Sequence, residues 1–376
     1  MIPATMTAVH LTGHGGLEKL VLRHDVAVPT PGERQVLVRV TAAGMNNTDI
    51  NTRTGWYNAA VSSGTPTAGG QGGFGVSGQG LGGWAGGLSF PRIQGADAVG
   101  YIAAVGEGVN SDRIGERVVC DPYIRDPNDM EGLESAGFLG SEYDGAFAQY
   151  TVVPSVNAVT VPRDLPLSDA ALATVPCSGG TAMNMLILAS AKAGELALVS
   201  GASGGVGTFL VQLLAALGAE VIAIAGKSKM DAVTGLGAHH VIDREGGDLV
   251  ARVLNVTGGR RLSLVADVVG GSQFSDLLKL LKRGGRYVTA GAIAGPKVEL
   301  DLRTLYLKNL SLFGSAVYLR ETFPRLIDLV KGGRITPFST KTWPLSDIRA
   351  AQTEFLQKKH VGSLVLIPPG DSAAVS

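Results

Sequence analysis

Apolar positions follow two different rhythms along this chain. In residues 196–225, LALVSGASGGVGTFLVQLLAALGAEVIAIA, a short apolar run at Leu196–Ser200 has the length of a strand. Phe209, Leu210, Leu213, Leu214 and Leu217 then recur at helical spacing, Gly218 marks a helix stop, and Val221–Ala225 is a second buried strand. The same alternation continues through HHVID (239–243), LSLVADVVGG (262–271), the helical FSDLLKLLKRGG (274–285), GGRYVTAGA (284–292) and LSLFGSAVYL (310–319). Strands alternating with helices predict an α/β region, doubly wound around a parallel sheet, over residues 165–316.

Upstream, the pattern is strand-like almost throughout. QVLVRVTAAGM (35–45), GYIAAVGEGV (100–109), RIGERVVCDPYI (113–124) and GAFAQYTVVP (145–154) are apolar runs ended by turn residues, and long helices are scarce. Residues 1–164 therefore read as a mostly β, barrel-like domain. Residues 317–376 hold a helical piece, TFPRLIDLVKGG, and a strand, VGSLVLIP, expected to return to that first domain.

A length of 376 residues fits two domains better than one core. Lys+Arg and Asp+Glu balance at 32 each, leaving no basic excess for nucleic acid. The N-terminus has no basic segment followed by an apolar run, and no stretch reaches the roughly 18 apolar residues of a membrane helix. The expectation is a soluble cytoplasmic protein. Cys120 and Cys177, the two cysteines, are too few and too distant for a disulfide framework.

The glycine cluster VSGASGGVG (199–207) sits at the first strand-to-helix turn, where a dinucleotide fingerprint belongs. It reads Ala202-x-Gly204-Gly205-x-Gly207, with alanine in place of the usual first glycine. Gly204 lets backbone approach a pyrophosphate, Gly207 lets helix and strand pack closely, and the helix N-terminus supplies free N–H groups. The second strand ends in Ala225-Gly226-Lys227-Ser228-Lys229, with no carboxylate to accept a ribose 2′-hydroxyl. Gly226, Lys227, Ser228 and Lys229 instead suit a 2′-phosphate, which favours NADPH, one of the two lysines being expected merely to solvate the loop. Residues 64–90, dominated by glycine, have no hydrophobic period; they form either a flexible surface insertion or a lid over the substrate.

With these residues in place, the chain resembles the zinc-independent, quinone-reductase-like branch of the medium-chain dehydrogenase/reductase superfamily. The landmarks are AAGMNNTDINTRTG (42–55), PRIQGADAVGYIAAVGEGV (91–109), DGAFAQYTVV (144–153), PCSGGTA (176–182), the glycine turn and HVGSLVLIP (360–368). The resemblance implies a GroES-like barrel domain, a Rossmann domain, and a cleft between them for cofactor and substrate. It also implies homodimers that pair through the last Rossmann strand, near Leu310–Phe313. Residues expected to face the cofactor are Thr181, Ser203, Gly204, Gly205, Val206, Gly226, Lys227, Ser228, Lys229, Gly291 and Gly314.

The resemblance places Asn46, Ala96 with Asp97, and Cys177 where zinc-dependent relatives hold their catalytic metal. Asparagine is a poor zinc ligand and alanine is none, so no metal is expected. Four clustered cysteines for a structural zinc are likewise lacking. The six histidines show no ligand pairing and read as structural or surface residues. Asn46, Thr48 and Asp49 are the candidate catalytic residues. Thr48 matches a proton-relaying hydroxyl of the zinc enzymes, and Asn46 has an amide to offer a developing oxyanion. Equally open is that Asn46 holds only the nicotinamide ribose or the local turn. Neither Asn46 nor Thr48 titrates near neutrality, which predicts a flat rate profile between about pH 6 and 8.

Without a metal to polarise a simple ketone, the expected substrates are quinones, enones and related activated carbonyl compounds, reduced by NADPH. Two alternatives stand: a zinc-independent alcohol dehydrogenase or carbonyl reductase, and a non-catalytic NADPH-binding protein. Two departures from the family pattern are noted. Asn51 stands where many quinone reductases have a substrate-contacting tyrosine, with Trp56 and Tyr57 as possible replacements, and Ser363 stands where relatives usually have lysine.

Overall fold

The computed structural model describes residues 1–75, 87–126, 133 and 135–370. Six parallel strands form one sheet in the order His240–Asp243, Glu220–Ala225, Leu196–Val199, Leu262–Asp267, Leu281–Thr289 and Ser311–Gly314. Alternation along these strands builds two apolar layers. Leu198, Ile222 and Val265 pack on one face against Phe274, Leu277 and Leu278. Ala197, Val199, Val221 and Ala223 pack on the other, against Phe209, Leu210, Leu213 and Leu214 of the Gly205–Leu217 helix. Both faces are thus covered by helices, as continuous apolar strands require. The strand order reverses beside Leu196–Val199, which opens a crevice at the carboxyl edge of the sheet.

A seven-stranded sheet forms the barrel-like domain. Its path runs Ala158–Thr160, Arg117–Cys120, Asp97–Val105, Gln35–Gly44, Ser363–Ile367 and Ser339–Pro344, with Tyr150–Pro154 also on Gln35–Gly44. The tail strand closes it by pairing Val365 with Gly44 and Leu366 with Ala43. The helix Thr322–Lys331 does not travel with that strand. Its apolar stripe, Phe323, Leu326, Ile327 and Val330, joins the core around Phe209 and Leu213. The last Rossmann strand is also shorter than its apolar run suggests. Tyr318 leaves the sheet, stacks edge-on against Tyr123 at 4.4 Å, and donates its hydroxyl to the Cys177 carbonyl at 2.6 Å.

One correction concerns membranes. The helical run Asp169–Leu188 is long and apolar enough, by length and composition, to cross a bilayer. Within it, Val175–Gly179 continues the helix as a π-helical segment. In this fold 67% of the run's apolar window is buried, as in a core helix.

Candidate active site

Two loops and the tail converge at the crevice. Gly44 ends its strand opposite Asp97, and the chain then turns at Asn46 into the helix Asn47–Thr54. A Cβ at Gly44 would lie 2.1 Å from the Ala173 carbonyl and 2.4 Å from Asp97 Oδ2, so only glycine allows this approach. The Asn46 backbone N–H donates to the Asp49 carboxylate at 2.7 Å, which fixes the turn.

Asn46 is 7% exposed and both ends of its amide are engaged. Nδ2 donates to Asp97 Oδ2 at 2.8 Å, and Oδ1 accepts from Ser178 Oγ at 3.0 Å. Asp97 Oδ1 accepts the Cys177 backbone N–H at 2.6 Å. One amide hydrogen of Asn46 is therefore committed to Asp97, and the second is the donor left for an acceptor oxygen.

Asp49 is turned inward. It is 3% exposed, its carboxylate holds the Asn46 turn, and its carbonyl accepts from Gln94 Nε2 at 2.9 Å. This geometry makes it a positioning group rather than one that reaches substrate. Burial pushes its carboxyl up to about 8, with Asp97 adding like-charge repulsion. Burial likewise pushes Asp97 up to about 7, opposed by its bonds from Asn46 and Cys177.

Thr48 faces Tyr57, which the sequence offers only as a replacement for an aromatic substrate contact. The Tyr57 hydroxyl donates to Thr48 Oγ1 at 3.1 Å, and burial pushes the phenol up to about 12. The αL residue Gly55 ends the helix and turns the chain back, which brings Tyr57 beside Thr48. Asn51 borders the same phenol, and its Oδ1 accepts from Thr65 Oγ1 at 3.1 Å. Thr65 in turn donates its N–H to the Ile293 carbonyl at 3.0 Å, across to the sheet's carboxyl edge. Arg53, fully buried, holds the start of the glycine-rich segment through the Gly70 carbonyl at 2.9 Å. Residues 76–86, the centre of the expected lid or insertion, lie outside the described residues.

The glycine turn has the division of labour its spacing predicts. A Cβ at Gly207 would meet the Gly201 carbonyl at 2.2 Å, and one at Gly205 would meet Ser178 Oγ at 2.4 Å. At Gly204 the nearest atom is 3.5 Å away, so that side is open. Gly204 caps the Gly205–Leu217 helix with no side-chain cap, which leaves the first N–H groups without a partner inside the helix, as an anion site requires. The tail crosses here, its Gly362 N–H donating to the Ser203 carbonyl at 2.9 Å. Val206 is half-buried in the first turn of the helix. Gly291 and Gly314 lie at the carboxyl ends of their strands, on the same edge of the sheet. Thr181 Oγ1 is 3.1 Å from the Tyr318 hydroxyl.

In the 226–229 loop, Lys227 and Ser228 are exposed, while Lys229 is half-buried and donates to the Lys358 carbonyl at 2.5 Å. Two basic side chains missed in the sequence join it. The Arg244 guanidinium lies 3.9 Å from the point where a Cβ would sit on Gly226. Lys358 reaches Asn47 Oδ1 at 2.7 Å. Sequence separation hid them: both come from segments distant from the glycine motif. This set of open glycine, helix N-terminus and cations fits a phosphate-bearing dinucleotide.

The metal positions do not fit zinc. Asp97 spends both oxygens on N–H donors, and the Asn46 amide nitrogen offers no lone pair. Burial and the nearby carboxyls hold the Cys177 thiol well above its ordinary value, against thiolate formation. Among the described residues, no three His, Cys, Asp or Glu side chains cluster to hold a metal. His239 Nδ1 faces the Val221 N–H at 3.1 Å, and His240 lies 3.6 Å from Glu220, both as parts of the sheet edge.

Residues 32–163 match the family described as alcohol dehydrogenase GroES-like domain, and residues 205–332 match zinc-binding dehydrogenase. A solved structure from Sinorhizobium meliloti 1021, provisionally assigned as an alcohol dehydrogenase, is 47% identical with a TM-score of 0.88, covering 98% of each chain. The quinone oxidoreductase of Sus scrofa is 26% identical, covering 96% of this chain and 98% of its own. A 2-haloacrylate reductase of Burkholderia sp is 29% identical, covering 94% and 96%.

Proposed function

Because this chain belongs to the medium-chain dehydrogenase/reductase superfamily, in its quinone-reductase-like branch, we propose that it is an NADPH-dependent oxidoreductase reducing quinones, enones or related activated carbonyl compounds without a metal. The observation that carries this is the hydrogen bond between Asn46 and Asp97, which fills two ligand positions with a donor and its acceptor. A conjugated acceptor needs less polarisation than a simple ketone, so hydrogen-bond donors suffice. The 2-haloacrylate reductase, whose substrate carries a conjugated double bond, supports the same class.

When bound, NADPH supplies the hydride. The turn at Gly204 and the Gly205–Leu217 helix would hold its pyrophosphate, and Lys229 and Arg244 would receive the 2′-phosphate. The remaining Asn46 amide hydrogen orients the acceptor oxygen. Thr48 and Tyr57 form a hydroxyl pair that delivers the proton, and Asp49 keeps the Asn46 turn in place. The edge strand Ser311–Gly314, with exposed Leu302, Tyr306, Leu307 and Leu312 beside it, supports pairing with a second copy.

Following NADPH absorbance with quinones, enones, aldehydes and simple ketones side by side tests the proposal. Turnover is expected on conjugated acceptors, faster with NADPH than NADH. The similarity to the Sinorhizobium protein favours a second reading, a metal-free alcohol dehydrogenase or carbonyl reductase. Turnover confined to simple aldehydes and ketones would select it. Binding without turnover on any acceptor would leave a non-catalytic nucleotide-binding protein.

A further inference from the structure

The tail that crosses the glycine turn carries an amine the proposed reaction does not use. Lys358 follows the helix Ile348–Leu356 in a left-handed conformation, φ 52°, which turns its side chain back over the helix end. Its Nζ lies 3.7 Å from the Phe355 ring centroid and donates to Asn47 Oδ1 at 2.7 Å. Asn47 is the first residue of the helix that follows Asn46. Four residues after Lys358, Gly362 is hydrogen-bonded to Ser203 and bridged to Gly204, against the turn that would hold the pyrophosphate.

Several cationic groups gather around this point. The Lys229 amine rests on the Lys358 carbonyl, and Arg244, beside Gly226, repels the same amine. His360 stacks on Phe355 at 5.1 Å, and its Nδ1 is buried without a hydrogen-bond partner. The acidic group facing them is Glu354, which is committed to Lys341 at 2.7 Å. Among the described residues, neither Lys229 nor Lys358 has a carboxylate partner. The two amines rest on neutral oxygens, Lys229 on the Lys358 carbonyl and Lys358 on Asn47 Oδ1, so charge on them meets no anion among the described residues.

We propose that Lys358 is the tail's half of a phosphate site for the dinucleotide, and that cofactor binding is coupled to uptake of one proton by this amine. The inference rests on the dinucleotide reading of the cleft. In the free protein, burial and the Lys229 charge bring the amine down to about 7, and burial with the two lysines brings His360 down to about 4. Above pH 7 Lys358 is therefore mostly a neutral amine bonded to Asn47. A phosphate oxyanion placed beside it compensates the ammonium form. The neutral amine takes one proton from solvent, and the new cation pairs with the anion. The bound chemistry is a phosphate group, whether the 2′-phosphate or the pyrophosphate.

Isothermal titration of the full-length protein with NADP⁺ and with NAD⁺ tests this, using buffers of different ionisation enthalpy between pH 7.5 and 9. A 2′-phosphate titrates near pH 6 by itself, so this window isolates the amine. Expected is uptake approaching one proton per site, with affinity falling up to about tenfold per pH unit. Lys358→Met should abolish the uptake and weaken binding about ten- to hundredfold. Loss for NADP⁺ alone assigns Lys358 to the 2′-phosphate; equal loss for both assigns it to the pyrophosphate. Lys358→Arg, permanently charged, should restore binding without restoring the uptake, which separates coupling from misfolding. Tight wild-type binding with no uptake overturns the coupling alone. Absence of binding by either dinucleotide overturns the cleft reading and the coupling with it.

Discussion

Asn46 Nδ2 and Asp97 Oδ2 are joined by a 2.8 Å hydrogen bond inside the protein, at two positions where zinc-dependent relatives bind metal. The amide nitrogen that faces the carboxylate has no lone pair to give a cation. Purified protein is expected to contain no stoichiometric zinc, and a chelator should leave activity unchanged. Elemental analysis showing one zinc per chain, lost together with activity, would refute this.

Removing the amide has two separable effects. Asn46→Ala leaves Asp97 Oδ2 without its donor, at a cost of about 1–3 kcal/mol in denaturant unfolding. If the second amide hydrogen serves the acceptor oxygen, turnover falls by about a hundredfold or more, with NADPH affinity nearly intact. Turnover unchanged after correction for folded fraction would leave Asn46 a purely local turn residue.

The hydroxyl pair makes a sharper kinetic prediction. Tyr57→Phe keeps the ring and removes the proton that is donated to Thr48. Loss of a positioned proton donor costs roughly 10²–10⁴ in rate, and Thr48→Val should fall in the same direction. Cofactor affinity, read by fluorescence titration, should stay within about twofold of wild type if the pair acts on the proton step rather than on binding.

The glycines should separate folding from binding. Gly207→Ala would drive a Cβ within 2.2 Å of the Gly201 carbonyl, and should destabilise the fold by about 1–3 kcal/mol. Gly204→Ala meets nothing closer than 3.5 Å and should melt like wild type while binding dinucleotide more weakly. Normal affinity in Gly204→Ala would remove the turn from the phosphate site.

Asp97 makes stability depend on pH. Its folded carboxyl titrates at about 7 against an ordinary value of 3.8, so the folded chain keeps a proton that the unfolded chain has released. That contribution is fully present below about pH 4 and is lost as pH rises through 7. The stability difference between wild type and Asp97→Asn should therefore shrink or reverse from pH 4 to 7, by up to about 1.4 kcal/mol per pH unit. A difference that is constant with pH would mean Asp97 is ionised in the fold. A rate profile that bends near pH 7 would mark Asp97, a group bonded to Asn46, whereas Asn46 and Thr48 alone predict a flat one.

The sequence by itself determined the parallel sheet, the barrel strands and the glycine turn, because each rests on local periodicity and on backbone constraints carried by neighbouring residues. Leu198, Ile222 and Val265 alternate with Ala197, Val221 and Leu264 as their spacing predicts, and Gly218 ends its helix in the αL conformation. Asn46 and Thr48 were legible as candidates because they stand within one landmark. Only the tertiary structure decided what those residues touch. Asp97 lies 51 residues from Asn46, Lys358 lies 311 from Asn47, and Lys229 lies 129 from Lys358. Such pairs leave no period in the chain; they exist because strands and tail are closed into one barrel against the carboxyl edge of the sheet. The same closure pushes the Asp97 carboxyl up and the Lys358 amine down, since burial and neighbouring charge are properties of position in space and not of residue type.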